Sequence, residues 1–375
     1  SRVMHSSFNF SIGGTSTSGY HVSQCQNVTF YNNTFESEGQ DSLRVYSSSF
    51  NNLTLNTIIG GASNGLRLLS SSNNTLSLNT VTSNSYGVTA FQLSTSHENT
   101  VINNTIRGLS MGAKALESSY SSHNTFLNNN ATCMLLPYEF TGNKSSHFNH
   151  TLGSDNYGDG KPVNYTQGVD DLVLTGTDVS QWGQLIYANL RNLTLDSINL
   201  TTTGNGVSLL GVNDSLIVNT SFYGDSKGLW LMASHGNTIN NTDINVQPRY
   251  AQALTLYNSD GNNVYNTTLY AYERWCYSID LSRSSNNIIL DSNLTSQVNG
   301  CCYGGSVRVQ DDCYGNEFTR CHIYTPNSET FMVEGDMNAT ITDSLMVSTT
   351  GQYHNSITAS GVTNNAELKL VNTTF

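Results

Sequence analysis

Apolar and polar residues alternate along this chain in short runs, and the runs return at a nearly constant interval. One phrase is a polar turn ending in Asn or Asp, followed by a small residue and then alternating apolar positions. It reads Asn27-Val-Thr-Phe, Asn52-Leu-Thr-Leu, Asn74-Thr-Leu-Ser-Leu, Asn99-Thr-Val-Ile and Asn124-Thr-Phe. It resumes at Asp171-Leu-Val-Leu and Asn192-Leu-Thr-Leu and persists to Asn365-Ala-Glu-Leu. A second phrase lies between the turns: Gly65-Leu-Arg-Leu, Gly87-Val-Thr-Ala-Phe, Gly206-Val-Ser-Leu and Gly228-Leu-Trp-Leu. Both alternate with period two, the mark of a half-buried strand. The chain has only 4 Pro, so few ladder-breaking residues interrupt these runs.

The repeat steps run from 21 to 29 residues. That predicts one coil per repeat, with three short strands in each coil. Successive coils stack through parallel pairing, about 4.8 Å apart. A propeller blade needs a repeat of roughly 40 residues or more. A leucine-rich repeat needs a Leu/Asn consensus and a helical arm that this chain lacks. The expected fold is therefore an all-β parallel β-helix (solenoid) of about fourteen coils. The turn Asn is expected to do two jobs: to accept a left-handed backbone, and to bond the equivalent Asn above and below in a ladder. The phrase is lost between 124 and 171. We therefore expect a first block of coils over 1–150, a junction over 151–170, and a second block over 171–375 continuing the first.

Composition adds to this picture. Of 375 residues only 11% are charged, and 48 are Asn. The 10% aromatic content, with 20 Tyr, argues against disorder. The net charge of −12 lacks the basic footprint that nucleic acid requires. No apolar run reaches membrane-spanning length. No signal peptide opens the chain, so one is expected to be absent or already removed. The seven cysteines form no C-x-x-C, and five fall between Cys276 and Cys321. Such a cluster suggests disulfides and an oxidising compartment, with one thiol left over. Cys276 and Cys301 are one coil apart, within bridging reach, and Cys302, Cys313 and Cys321 are close enough for a second bridge. Connectivity stays open.

The Ser-Asn-Asn-Thr turn at Ser72–Thr75, the related turn at Ser285–Asn287 and the Gly-apolar-x-apolar strands carry a family resemblance. So does Asp155-Asn-Tyr-Gly-Asp-Gly-Lys-Pro-Val-Asn-Tyr165. Together they resemble the NosD-type repeats of right-handed parallel β-helices, especially the archaeal surface versions. The resemblance implies a right-handed coil, and a fresh block of coils after the Gly160–Tyr165 phrase. Name-giving members assist copper-enzyme maturation, while similar repeats build cell-surface and carbohydrate-handling proteins. Fold alone does not choose among these.

For copper, His97, His123 and His235 precede turn positions, and His147 and His150 lie in the junction region. No carboxylate or Cys completes a ligand set, so no metal site and no cofactor are expected. For hydrolysis, Asn241-Thr-Asp243, Asp311-Asp312 and His235-Gly236 stand in the wrong order for a polygalacturonase. If the chain is an enzyme, Asp280, Asp311, Asp312 and Glu334 are the acids to test. Aligning the Gly-initiated strands places Ser208, Trp230, Thr255, Asp280 and Arg308 in one outward column. Leu210, Met232, Tyr257, Ser282, Gln310 and Glu334 form its neighbour. This strip reads either as plain surface with an Asp280–Arg308 pair or as a sugar-binding face. Arg44 and Arg67 stack as like charges, which calls for something anionic upon them.

The chain has 19 Asn-x-Ser/Thr sequons, among them Asn27, Asn52, Asn103, Asn192, Asn266 and Asn293, as candidate glycosylation sites. The chain begins and stops inside repeats without a capping helix. We therefore expect either a fragment of a longer protein or open ends that stack on other subunits. The preferred expectation is a non-catalytic extracellular structural protein of a cell-envelope layer, sheath or filament, partnered by itself or by other envelope proteins. The alternatives are a carbohydrate-binding or polysaccharide-cleaving β-helix and a NosD-like copper accessory protein.

Overall fold

The computed structural model describes residues 2–4, 6–10, 19–176, 179–201, 206–224, 227–247, 251–273, 275–297, 304–326, 328–349, 357–362 and 365–374. They form two compact units, 1–165 with 182–184, and 166–181 with 185–375.

In the first unit each coil contributes three strands, and like strands pair in parallel from coil to coil. The first ladder includes Asn52–Thr54, Thr75–Ser77 and Thr100–Ile102; the second, Thr57–Gly60, Thr80–Ser83 and Thr105–Gly108. The third includes Leu66–Leu69, Thr89–Ser94 and Lys114–Ser119. Register stacks like on like: Leu53, Leu76, Val101 and Phe126 form one inward column, and Ile58, Val81 and Ile106 another. All are buried. Removing such side chains from water is what holds each coil to the next, at about 1.5–3 kcal/mol apiece.

The turns divide between neighbouring residues the two jobs expected of one asparagine. Asn73 adopts the left-handed conformation (φ 58°), and the next residue, Asn74, makes the ladder. The Asn74 backbone N–H and Nδ2 both donate to Asn99 Oδ1, at 2.9 and 3.1 Å, and Nδ2 also donates to the Ser48 carbonyl at 3.0 Å. Asn51, Asn74, Asn99 and Asn124 form one such ladder, and Asn33 through Asn156 a second at the other corner. These amides satisfy inward-facing turn N–H groups for which the strands offer no carbonyl. Tyr157–Gly158 and Lys161–Pro162 pair antiparallel around Asp159 and Gly160, both with positive φ, as a two-residue hairpin turn demands.

The second unit repeats the plan. Leu195, Ile217, Ile239, Val264 and Ile289 fill the first ladder's inward column. Leu200, Phe222, Ile244, Leu269 and Leu294 fill the second's. Leu209, Leu231, Leu256 and Leu281 fill the third's. Asn237, Asn262, Asn287 and Asn316 make its asparagine ladder.

Candidate functional site

The third ladder of the second unit carries the strip read from the sequence, in the expected register. Ser208, Trp230, Thr255, Asp280 and Arg308 follow one another rung by rung, and Met332 continues the column. The column faces outward yet is closed. Trp230, Thr255 and Asp280 are 4%, 6% and 5% exposed. The Lys227 ammonium lies 3.7 Å above the Trp230 ring, so the ring face expected to stack on a sugar is already occupied. Trp230 Nε1 and Thr255 Oγ1 are buried without a hydrogen-bond partner. Arg308 forks onto Asp280 at 2.9 and 2.6 Å and covers the Tyr277 ring at 4.2 Å. Burial pushes the Tyr277 phenol up to about 12, partly offset by the Arg308 charge.

The neighbouring column also keeps its register: Met232, Tyr257, Ser282, Gln310 and Glu334. Arg283 Nη1 donates to Tyr257 Oη at 3.2 Å. Of the acids proposed for catalysis, Asp280 has both oxygens held by Arg308. Asp311 and Asp312 stand on the turn in consecutive left-handed positions, φ 54° and 53°. Asp311 lies 4.0 Å from Arg283, and Asp312 accepts from Tyr314 Oη at 3.4 Å. Glu334 lies half-buried at the end of its strand.

A different face is open. The second ladder of this unit includes Asn199–Thr201, Ser221–Gly224, Asp243–Val246, Thr268–Tyr272, Asn293–Gln297 and His322–Pro326. Its outward column reads Thr201, Tyr223, Asn245, Tyr270, Thr295, Tyr324. Tyrosine therefore returns on every second rung from Tyr223 to Tyr324. Tyr223 is 39% exposed, and Tyr270 and Tyr324 are half-buried. Tyr272 lies beside Tyr270, with near-parallel rings 6.5 Å apart, and His322 lies beside Tyr324 at 6.2 Å. Tyr270 Oη donates to Gln297 Oε1. Asn245 Oδ1, between Tyr223 and Tyr270, is buried without a partner.

A groove of about 260 Å³ adjoins this row, lined by Asn219, Ser221, Asn241, Asp243, Asn266 and Thr268. Burial holds the Asp243 carboxyl above the ordinary range. The row was missed in the sequence because the Gly-initiated strands anchor only the third ladder. Counting from the turn at Asn219, Asn241 and Asn266 would have aligned it.

Other expected sites resolve differently. Cys313 and Cys321 are free, buried thiols, which removes them from the proposed bridge. They do the work of ladder residues instead. Cys313 Sγ accepts the Ser284 N–H at 3.2 Å, continuing a serine column through Ser234, Ser259 and Ser284. Cys321 Sγ points at the Ile289 carbonyl, 3.4 Å away. Burial pushes both thiols up to about 11. Cys276 is buried against the Tyr272 carbonyl, its thiol pushed up to about 12 by burial. Cys301 and Cys302 lie outside the described residues.

Asp41 supplies the anion expected upon Arg44 and Arg67. It accepts from Arg44 at 2.9 and 2.6 Å, lies 4.0 Å from Arg67, and also accepts from Ser63 and Asn64.

The sequon asparagines Asn27, Asn52, Asn103, Asn192, Asn266 and Asn293 are all exposed. The buried ladder asparagines head no sequon, because the residue two positions on (Leu76 after Asn74, Val101 after Asn99) must face the core.

Parallel ladders, inward apolar columns and asparagine corners define a right-handed parallel β-helix protein. The chain belongs to the NosD family, whose model, described as periplasmic copper-binding protein (NosD), matches residues 141–331; a right-handed β-helix region model matches 5–149. Among solved structures, the A-module of Azotobacter vinelandii mannuronan C-5 epimerase AlgE6 is 11% identical over 90% of each chain, with a TM-score of 0.33. The periplasmic alginate epimerase AlgG is 10% identical over 93% of this chain and 76% of its own, with a TM-score of 0.32. No curated protein matches the chain.

Side chains such as His150 and Cys313 are engaged in the corner ladders rather than gathered as copper donors. Among the described residues no three His, Cys, Asp or Glu side chains converge. His97 Nδ1 is 2.8 Å from Ser122 Oγ, and His235 and His150 accept backbone N–H groups through Nδ1. Among the described residues no helix is long and apolar enough to cross a membrane.

Proposed function

We propose that this chain is an exported, non-catalytic carbohydrate-binding β-helix acting at the cell surface, and that the saccharide sits on the tyrosine face of the second unit. The observation that carries this reading is the outward row Tyr223, Tyr270 and Tyr324 beside a polar groove, with Asn245 and Thr295 between the rings. A sugar ring offers C–H groups to an aromatic face and hydroxyls to polar atoms beside it, and tyrosine suits a surface that is apolar in the middle and wet at the edge. A purely structural sheath or filament leaves this face without a role. The locked Asp280 and the turn-borne Asp311 and Asp312 favour binding over cleavage.

Calorimetric titration against soluble polysaccharides, with wild-type protein and Tyr270→Ala, tests the reading. Expected is saccharide binding that weakens at least about tenfold in the variant, or about 1.4 kcal/mol. No heat with any saccharide from folded protein removes it.

A further inference from the structure

We infer that the ligand of the tyrosine face is a neutral, linear polysaccharide lying across the strands, along the coil stack, with two sugar residues in step with two coils. This rests on the carbohydrate reading above and adds direction, repeat and charge to it.

Direction and repeat follow from register. Tyr223, Tyr270 and Tyr324 occupy one outward column with Asn245 and Thr295 between them. Strand spacing of about 4.8 Å puts rings about 9.6 Å apart and the outer pair about 19 Å apart. That interval is close to the length of two sugar residues in an extended chain. A polymer along this column meets a ring at every second sugar and a polar side chain in between. Asn245 and Thr295 are the side chains that the two intervening sugars would meet. A polymer running along one strand instead would meet at most the pair Tyr270 and Tyr272, or His322 and Tyr324.

Charge follows from what borders the row. The adjoining outward columns hold Ser221, Asp243, Thr268, Asn293 and His322 on one side and Tyr272 and Gln297 on the other. Asp243 is the one carboxylate among these residues, and none is lysine or arginine. Arg320, on the nearby turn, is forked onto Asp291 at 2.7 and 2.8 Å. A polyuronate or sulfated chain would meet that carboxylate with no lysine or arginine among the described residues of the row to offset it, on a protein of net charge −12. The carboxylate and amides instead suit hydroxyl donors.

The test is a length series of neutral linear oligosaccharides, from disaccharide to octasaccharide, beside a uronate series of matched length. It uses wild type, Tyr223→Ala, Tyr324→Ala, Tyr324→Phe, and Tyr86→Ser in the first unit as a control. Affinity should rise by about tenfold (about 1.4 kcal/mol) when the chain reaches a second ring, and again at a third. Tyr223→Ala and Tyr324→Ala should each remove the last step, while Tyr324→Phe and Tyr86→Ser should keep it. Uronates should bind at least about tenfold more weakly. Neutral saccharide binding with no length steps, or uronates binding as tightly, overturns this inference and leaves the carbohydrate reading standing. No binding by any saccharide defeats that reading itself.

Discussion

His150 occupies the rung after Asn124, where an asparagine would continue the ladder. Its Nδ1 accepts the Asn124 N–H at 3.3 Å, so the imidazole must stay neutral to do the work of an amide oxygen. Burial, with His123 and His97 nearby, lowers its pKa from 6.5 to about 3. A folded value below the unfolded one means the unfolded chain binds the extra proton first. Stability is then full above about pH 6.5 and is lost as pH falls toward about 3. Each pH unit within that window costs about 1.4 kcal/mol, so acidification to pH 4.5 should remove roughly 3 kcal/mol. Denaturant melts of wild type and His150→Asn, which still accepts from Asn124 but does not titrate, check this. An equally steep acid loss in His150→Asn would refute it. The sequence showed His150 as a polar residue of the junction region; that it faces inward at a ladder terminus needed the register.

At the scale of elements, the asparagine ladders matter as much as the apolar columns. Asn99→Ala would strip Asn74 of the acceptor for its N–H and Nδ2, and the Ser71 carbonyl of a donor at 3.0 Å. Leaving such buried groups unmet should cost on the order of 3 kcal/mol, read as a drop in the denaturation midpoint. Thr100→Ala on the adjoining outward position should cost well under 1 kcal/mol. Equal effects would mean that the ladder is ornamental. Strands and corners were legible because a parallel coil repeats its inward residues at the same phase, so alternation and interval both survive in the sequence. The division of labour between Asn73 and Asn74 was not, because adjacent asparagines look alike until φ and hydrogen-bond partners separate them. Cys313 and Cys321 misled for a related reason. Proximity in sequence suggests a bridge, whereas each thiol replaces a hydroxyl or amide in a corner column.

Across the whole molecule, net charge −12 with only 15 Lys and Arg makes long-range attraction of an anionic ligand unfavourable. Binding of a neutral glycan should therefore change less than about twofold between low and high salt, since no charge pair is there to be screened. A steep salt dependence in calorimetry would instead point to ionic contacts and against the neutral ligand. By itself the sequence determined the parallel coil and its strand register in the third ladder. Both follow from periodicity, which is a property of the linear chain. Tertiary structure alone decided which outward face is open. Trp230 and Tyr223 both point away from the core by alternation, but Lys227 covers the first while the second stays exposed. Alternation tells inside from outside; what another part of the surface lays over an outward residue is a matter of contacts in space, and no spacing in the sequence records it.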